Sequence, residues 1–478
     1  MLLAACGKPV ATPPALRPPT VSLVELNPEI ARALSLLKGP ERNVPAAIAH
    51  LARACRREPH DALAGALLYR ALSDGANAGS PQPLQIFQHS ADVQSAVFSP
   101  DETRVLTVCN DAAAHLWDAA NGTEIARPLA HAGRVRSAAF NPDGSRIITG
   151  GDDMAARIWK SATGEPVGEP LPHEGHVLMV AFSPDGSRVL TASYEGTAQL
   201  WNAETGKPVG RPLVHNDAIY SARFSEDGKR IVTASADWTA QVWDAETGRT
   251  IGLPMRHTRA RVSSARFSPD GRRVITASDD RSARMWNAET GDPLGDPLWH
   301  TRAVIDAIFT KDGSRILTAS SDGAAALWNA DSHTLAVPLL QHGDALRAAA
   351  FDRENQRIAS ASQDHTAQIW DAATGQRIGA PFRHEESVQS VAFSADGTKL
   401  LTAALDTTAR IWDAGPHEPA PEWFIEFAEQ FAGWTIGQDG TPARIPAREL
   451  MSPPNLPENP WTRLVKRLLE AGNLPPSP

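Results

Sequence analysis

The chain has 478 residues, 42% hydrophobic and 21% charged, which is ordinary globular usage and excludes disorder throughout. A formal net charge of -9 with no basic stripe excludes a nucleic-acid footprint. Three cysteines, Cys6, Cys55 and Cys109, stand at no metal-ligand or redox spacing, and no apolar run approaches the ~18 residues of a membrane-spanning helix.

Residues 1–27 are Pro-rich and expected to be disordered. Within them Leu3-Ala4-Ala5-Cys6 matches a bacterial lipoprotein cleavage box, but two leucines do not supply the apolar stretch of roughly 7 to 15 residues that an export signal needs. The expectation is a cytoplasmic chain; the alternative is a lipid anchor at Cys6 from an upstream start. Residues 28–83 read as a helical cap, with helices over 28–37, 45–57 and 60–72 and stops at Pro59 and Gly75. Ala47, Leu51, Ala54 and Pro59 are similar to the second helix of a tetratricopeptide unit, although one unit builds no solenoid.

From 84 to 414 one unit recurs eight times. Trp stands at 117, 159, 201, 243, 286, 328, 370 and 412, a His keeps step from His89 to His384, and a Phe lies 19 residues before each Trp. In the unit from His215 to Trp243, runs over 219–224, 230–234 and 239–243 are strand-length and separated by turns at Ser225-Glu226-Asp227-Gly228 and at Asp237. A fourth run, such as 209–214, follows each of the first seven Trp. It carries a Pro (Pro128, Pro170, Pro212, Pro254, Pro297, Pro338, Pro381) that would cost a ladder bond in a central strand, so it is the edge strand. Four antiparallel strands every ~40 to 45 residues is the pattern of propeller blades around a channel.

On these residues the chain resembles the WD-repeat β-propeller family, most of all tandem WD-repeat proteins of bacteria. The Trp-Asp pair stands at Trp117-Asp118, Trp243-Asp244, Trp370-Asp371 and Trp412-Asp413; Asn follows Trp201, Trp286 and Trp328, Lys160 follows Trp159, and the Gly-His pair is absent. The resemblance implies an all-β fold, an eight-bladed propeller of four-stranded antiparallel blades with small helical N- and C-terminal flanks. The last unit lacks an outer strand, whereas 84–87 precede the first repeated His with nothing to pair. The N-terminal segment is therefore expected to complete the last blade and protect its edge; seven blades plus a stray unit is the alternative.

An acid six residues before each Trp and a hydroxyl ten before it complete a repeated quartet: His131, Thr149, Asp153 and Trp159; His215, Thr233, Asp237 and Trp243; His257, Thr276, Asp280 and Trp286; and likewise elsewhere. Eight copies at eight blade junctions cannot converge on one substrate, so a catalytic triad is the weaker reading. A buried network in which the carboxylate fixes the imidazole tautomer is the physical one, and it is similar to the family's structural tetrad. Glu195 is the one acid departure and is expected to strain its blade. There is no phosphate-cradling Gly-rich loop ending in Lys-Ser/Thr, His-Glu-x-x-His or Gly-x-Ser-x-Gly, and no cofactor or metal is expected.

If the repeated residues build a scaffold, function is expected where the units differ. Tyr194, Trp238, Arg281 and His365 stand beside the repeated acids, Tyr220 and Trp299 flank repeated histidines, and Arg259, Arg261 and Arg302 cluster near His257 and His300. Aromatic and Arg side chains are enriched at binding hot spots. Tyr194, Tyr220, Trp238 and Trp299 are thus expected as anchors for a protein partner, with Arg259, Arg261, Arg281 and Arg302 around them; scattered surface decoration is the alternative. Residues 415–478 read as a Pro-rich extension with two short helices, one striped by Trp423, Phe424, Phe427 and Phe431 and one over 461–469. The functional expectation is a non-catalytic protein-interaction scaffold with no nucleic acid and no membrane span. The alternative is an enzyme or ligand-binding propeller with its site in the central channel, for which the sequence offers only repeated acids and histidines.

Overall fold

The computed structural model describes residues 27–37, 43–58, 61–76, 81–416, 420–432, 434–436, 442–444 and 460–470. Cys6, Pro59 and the Pro-rich stretch through residue 26 lie outside the described residues.

Eight four-stranded antiparallel sheets follow one another as the blades of a propeller. We number them 1 to 8 by their Trp, from Trp117 to Trp412. Blade 4 shows the plan, with inner strand Ile219–Phe224, then Arg230–Ser235, Thr239–Asp244 and outer strand Thr250–Arg256. Its second strand is buried from Ile231 to Ser235, because neighbouring blades cover both faces and β-branched side chains suit such a strand. The turn before it is fixed locally. Ser225 Oγ donates to Asp227 Oδ1 at 2.6 Å, the Lys229 and Arg230 amides donate back to the two side chains, and Gly228 supplies the left-handed residue at φ +67°.

Outer strands are not alike. In blades 3 to 5 they run seven residues (Pro208–Val214, Thr250–Arg256, Pro293–Trp299), whereas in blades 1, 2, 6 and 7 the continuous strand is two residues long (Leu129–Ala130, Leu171–Pro172, Leu340–Gln341, Phe382–Arg383) with one separate bridge to the Trp, such as Glu124 to Trp117. Pro212 lies in a bulge, since Ala198 pairs with Leu213 but Leu200 with Val209. A bulge on an edge strand is where a missing amide costs least.

Ring closure follows the expected route. Pro83–Gln88 pairs with Thr408–Asp413, Ile86 opposite Arg410 and Phe87 opposite Ala409, so the eighth blade has its outer strand and no unit is stray. Phe87 is fully buried, its ring 5.7 Å from that of Trp117 across the seam.

Among the described residues five helices flank the ring: α1 (Pro28–Leu37), α2 (Val44–Arg57), α3 (Ala62–Ala76), α4 (Glu422–Ala432) and α5 (Pro460–Glu470). Asn43 caps α2 by accepting the Ala46 amide at 3.1 Å, while Gly75, expected as a stop, falls inside the last turn of α3. Helices from both ends of the chain share one core with blades 7 and 8, in which Ile30, Leu51 and Leu68 meet Phe424, Trp461, Phe382 and Trp412. Tyr69 Oη donates to Asp413 at 2.8 Å and the Arg70 guanidinium lies over the Phe382 ring. On α4, Phe424 and Phe427 are buried and Phe431 partly so; the side chain of Trp423 lies outside the described residues. A short hairpin, Trp434–Ile436 with Pro442–Arg444, was not foreseen from the sequence.

Closure makes a mutational prediction. Phe87→Ala should cost about 3 kcal/mol or more of unfolding free energy, because it opens a cavity at a junction between two blades. Ile86→Ala, on the exposed side of the same strand, should stay within about 0.5 kcal/mol. Denaturant midpoints read both, and two neutral substitutions would show that this strand does not hold the ring.

Candidate functional site

Inner and second strands pair with Ile219 opposite Ser235 and Phe224 opposite Ile231, which puts the two kinds of turn at opposite ends of each blade. Repeated histidines and acids lie at one face, here the upper; the Asp-Gly turns lie at the lower.

The upper-face quartet forms a relay. In blade 4 Trp243 Nε1 donates to Thr233 Oγ1 at 2.7 Å, the hydroxyl stands 2.7 Å from His215 Nε2, and His215 Nδ1 stands 3.0 Å from Asp237 Oδ2. With Nδ1 donating to the carboxylate, Nε2 accepts from the hydroxyl, so every group is satisfied in one direction. Asp237 also accepts the Asn216 amide, tying the blade entry to the turn. Burial works against this carboxylate, but the bonds from His215 and Thr239 outweigh it and hold its pKa below the usual range. His131, Thr149, Asp153 and Trp159 make the same contacts at 2.7 to 2.8 Å, as do His257, Thr276, Asp280 and Trp286 at 2.7 to 2.9 Å.

Two blades depart. Glu195 in blade 3 reaches His173 at 3.0 Å, but its second oxygen is buried without a partner; the longer side chain does not collect the backbone amide that the aspartates take. The departure sequence reasoning missed is in blade 1. There Trp117 still donates to Thr107 at 2.9 Å, yet neither ring nitrogen of the buried His89 has a partner. Its acid has been taken by His115, which meets Asp111 at 3.0 Å and Glu124 at 2.7 Å and packs edge-on against His89. Burial, then the nearby His115, push the His89 pKa down to about 4.

A second repeated residue went unread. Thirteen residues before each Trp stands an Arg (Arg104, Arg146, Arg188, Arg230, Arg273, Arg315, Arg357), with Lys399 in blade 8. Each Arg reaches into a following blade: Arg230 donates to Gly271 O at 2.6 Å, Arg273 to Gly313 O at 2.7 Å and Arg188 to Gly228 O at 2.8 Å. The repeated Phe gives several of them a platform, as Phe267 does for Arg230 and Phe309 for Arg273. Its constant spacing was the available signal.

The residues expected to bind a partner separate into two sets. Trp238 and Tyr194 are 45% and 56% exposed, and Arg259, Arg281 and Arg302 are exposed on the same face. Tyr220 and Arg261 instead satisfy one another, the guanidinium 4.7 Å over the ring and 3.1 Å from Asp279, and Trp299 is half-buried on its edge strand. Tyr194 precedes its acid whereas Trp238 and Arg281 follow theirs, at a position where every blade turns left-handed. Gly196 and Gly323 hold that position in blades 3 and 6, and Trp238 and Arg281 hold it at φ +72° and +73°.

Residues 92–290 match the model of the IFT122 first beta-propeller, and residues 293–329, 334–371 and 376–413 match the WD domain, G-beta repeat. The chain belongs to the WD-repeat propeller family. Among solved structures it is similar to the computationally designed Ika8 protein, with 22% identity and a TM-score of 0.62 over 70% of this chain and 99% of that one. It is also similar to the C-terminal WD40 domain of Sif2, with 18% identity and a TM-score of 0.60 over 70% of this chain and 98% of that one. At these identities the likeness is one of fold. No curated protein sequence matches. Among the described residues of this WD-repeat propeller, no helix is long and apolar enough to cross a membrane and no cluster of three metal-binding side chains occurs.

The blade 1 departure is testable. His89→Phe removes an unsatisfied buried polar group and should leave stability at pH 7.5 within about 1 kcal/mol, while His215→Phe should cost about 1 to 3 kcal/mol. A histidine whose folded pKa lies below its ordinary 6.5 contributes fully above that pH and loses the contribution as pH falls toward about 4. The melting temperature should therefore fall across that window, and His89→Phe should remove part of the fall. An unchanged pH profile in the variant would show that His89 is not buried neutral.

Proposed function

We propose that this WD-repeat propeller is a non-catalytic scaffold that binds a protein through the upper face of blades 3 to 6. Trp238 carries the reading. A bulky aromatic in the left-handed region costs about 1 to 2 kcal/mol relative to Gly, and this one is also 45% exposed. Gly holds that position in blades 3 and 6, and Ala112, Met154, His365 and Thr407 share the strain in other blades, so what sets Trp238 apart is a large exposed aromatic ring at the strained turn. Arg281 occupies the same strained position in the next blade, and Arg259, in the one-residue insertion between His257 and Val262, is left-handed at φ +49°.

The partner that suits this set has an apolar centre for Trp238 and Tyr194, with carboxylates for Arg259, Arg281 and Arg302, since guanidinium groups pair with carboxylates in a fixed fork. Tyr220 and Arg261 stiffen the floor of the patch. A scaffold rather than an enzyme is supported by the histidines themselves. In blades 2 to 8 both ring nitrogens of each repeated His already stand within hydrogen-bond distance of the hydroxyl and the acid, which leaves none free to move a substrate proton.

The test sets stability against binding. Trp238→Gly should leave the melting transition unchanged or raise stability by up to about 1 kcal/mol. The same change should weaken a bound protein by at least about 2 kcal/mol, roughly 30-fold. Thr407→Gly, the equivalent turn in blade 8, should leave binding unchanged. Affinity capture with the intact chain and both variants, followed by titration of the captured species, reads all three. Equal binding by the two variants would remove this patch.

A further inference from the structure

The wall of the central channel departs in charge from the rest of the chain. The eight inner strands carry four arginines, Arg136, Arg223, Arg266 and Arg347, and one acid, Asp306, in a chain whose net charge is -9. Arg136 is paired with Asp152 at 2.7 Å. Arg266 is paired with Asp306 at 2.8 Å, and Ser264 Oγ donates to the same carboxylate at 2.6 Å. Arg223, one blade earlier, has no hydrogen bond or ion pair among the described residues, and its Nε is buried without a partner there. Two residues before it, the buried Ser221 hydroxyl is also unpartnered. Its counterparts Ser137 and Ser390 each accept an amide from the next blade, Val180 N at 3.3 Å and Ala96 N at 3.1 Å.

A buried polar atom left unpaired costs free energy, and the Arg223 guanidinium, whose repulsion from Arg266 is only partly offset by the Asp306 carboxylate that Arg266 itself holds, is open to a partner outside the chain. The neighbouring Arg266 charge, then burial, push the Arg223 pKa down. A guanidinium starts so far above neutrality that it keeps its proton, so relief comes from an anion and not from deprotonation. Arg223 also lines a cavity of about 580 Å³ at the lower mouth of the channel, walled by Phe98, Phe140, Phe182 and Phe224, with Glu226 at its edge. That volume lies within the roughly 300 to 1,000 Å³ of small-ligand sites. Space exists because blades 2 and 3 carry Ala139 and Ala181 one residue before the repeated Phe, where blades 4 and 5 carry Arg223 and Arg266.

We propose that this cavity binds an apolar monocarboxylate, its carboxylate on Arg223 and its hydrocarbon body against the four phenylalanines. One guanidinium matches one carboxylate, and the Glu226 charge disfavours a second negative group on the ligand. A free organic acid and the terminal carboxylate of a peptide with an apolar last residue present the same chemistry. The site lies at the face opposite Trp238 and can stand or fall independently of the proposed interaction surface.

Calorimetric titration of the full chain tests it with four probes: 3-phenylpropanoate, 3-phenylpropanamide, a short peptide ending in a Phe carboxylate, and that peptide amidated. At least one acid should bind one to one, and its neutral amide at least tenfold more weakly. Tighter binding of the peptide acid assigns the site to a chain terminus; tighter binding of 3-phenylpropanoate assigns it to a free acid. Arg223→Gln should weaken the acid at least tenfold without lowering the melting temperature, and Arg347→Gln should leave affinity unchanged. Absence of saturable binding by both acids, equal affinity for acid and amide, or an Arg223→Gln chain that binds like the original would each overturn the proposal. The acid-to-amide comparison needs no variant, so it holds even if Arg223→Gln folds poorly.

Discussion

No blade of this propeller owns a core. Each hydrophobic layer joins neighbours, with the helices added between blades 7 and 8: Leu200 and Leu213 of blade 3 pack on Ile231 and Trp243 of blade 4, and Val242 and Met255 of blade 4 pack on Val274 and Trp286 of blade 5. The layer at the seam is built the same way, with Leu401 and Ile411 of blade 8 against Val105 and Trp117 of blade 1, and Phe87 added from the closing strand. A single unit could bury only one of its faces, so each blade requires the next and the first requires the last. Ring closure is therefore a condition of stability for every blade at once.

The polar chemistry serves that requirement on both faces. On the upper face the relay from Trp through hydroxyl and His to acid ties the entry of each blade to its own turn. On the lower face the Arg that opens the second strand holds a carbonyl of the next blade. At the seam both devices change: His89 has left the relay and Lys399 stands where other blades have Arg. The seam is held by main-chain pairing, the buried Phe87 ring, the Ala96 amide on Ser390 Oγ at 3.1 Å and an amide contact from Ala395 to Glu102. The seam thus keeps its apolar layer and backbone ladder while losing the relay and the repeated Arg.

Much of this was legible in the sequence because one hydrophobic period repeats eight times, and an error in one unit is corrected by the other seven. Strand order, the edge position of the Pro-bearing strand and closure by residues near 84–87 all follow from that redundancy. Single events escaped it. The loss of the His89 contacts depends on His115, which occupies a position held by Arg157, Gln199 or Gln241 in other blades and shows its consequence only once strand pairing brings it beside Asp111. The left-handed turn under Trp238 had a visible clue in Gly196 and Gly323, but grouping Tyr194 with Trp238 concealed it, because those two residues lie on either side of their acids. The channel arginines were hidden for another reason. Period-two alternation separates faces within a strand, but which of those faces borders the channel follows from how the blades are arranged around it.

That arrangement gives the ring a direction. Helices from both ends of the chain cover blades 7 and 8, where Leu68, Phe424 and Trp461 share a core with Phe382 and Trp412. In a ring of eight, the blades across from these are 3 and 4. There the outer strands are long, Tyr194 and Trp238 are exposed at the upper face, and Arg223 stands unpaired in the channel wall. The residues of the two proposed sites thus lie mainly in the sector farthest from the helices, with Arg281 extending it into blade 5, while the His89 departure stands apart in blade 1. Because all of it rests on inner strands and turns held by neighbours on both sides, an upper-face partner and a lower-face ligand would meet surfaces already in place. Binding at either would lose little free energy to ordering the protein, and neither site needs the helical layer to move.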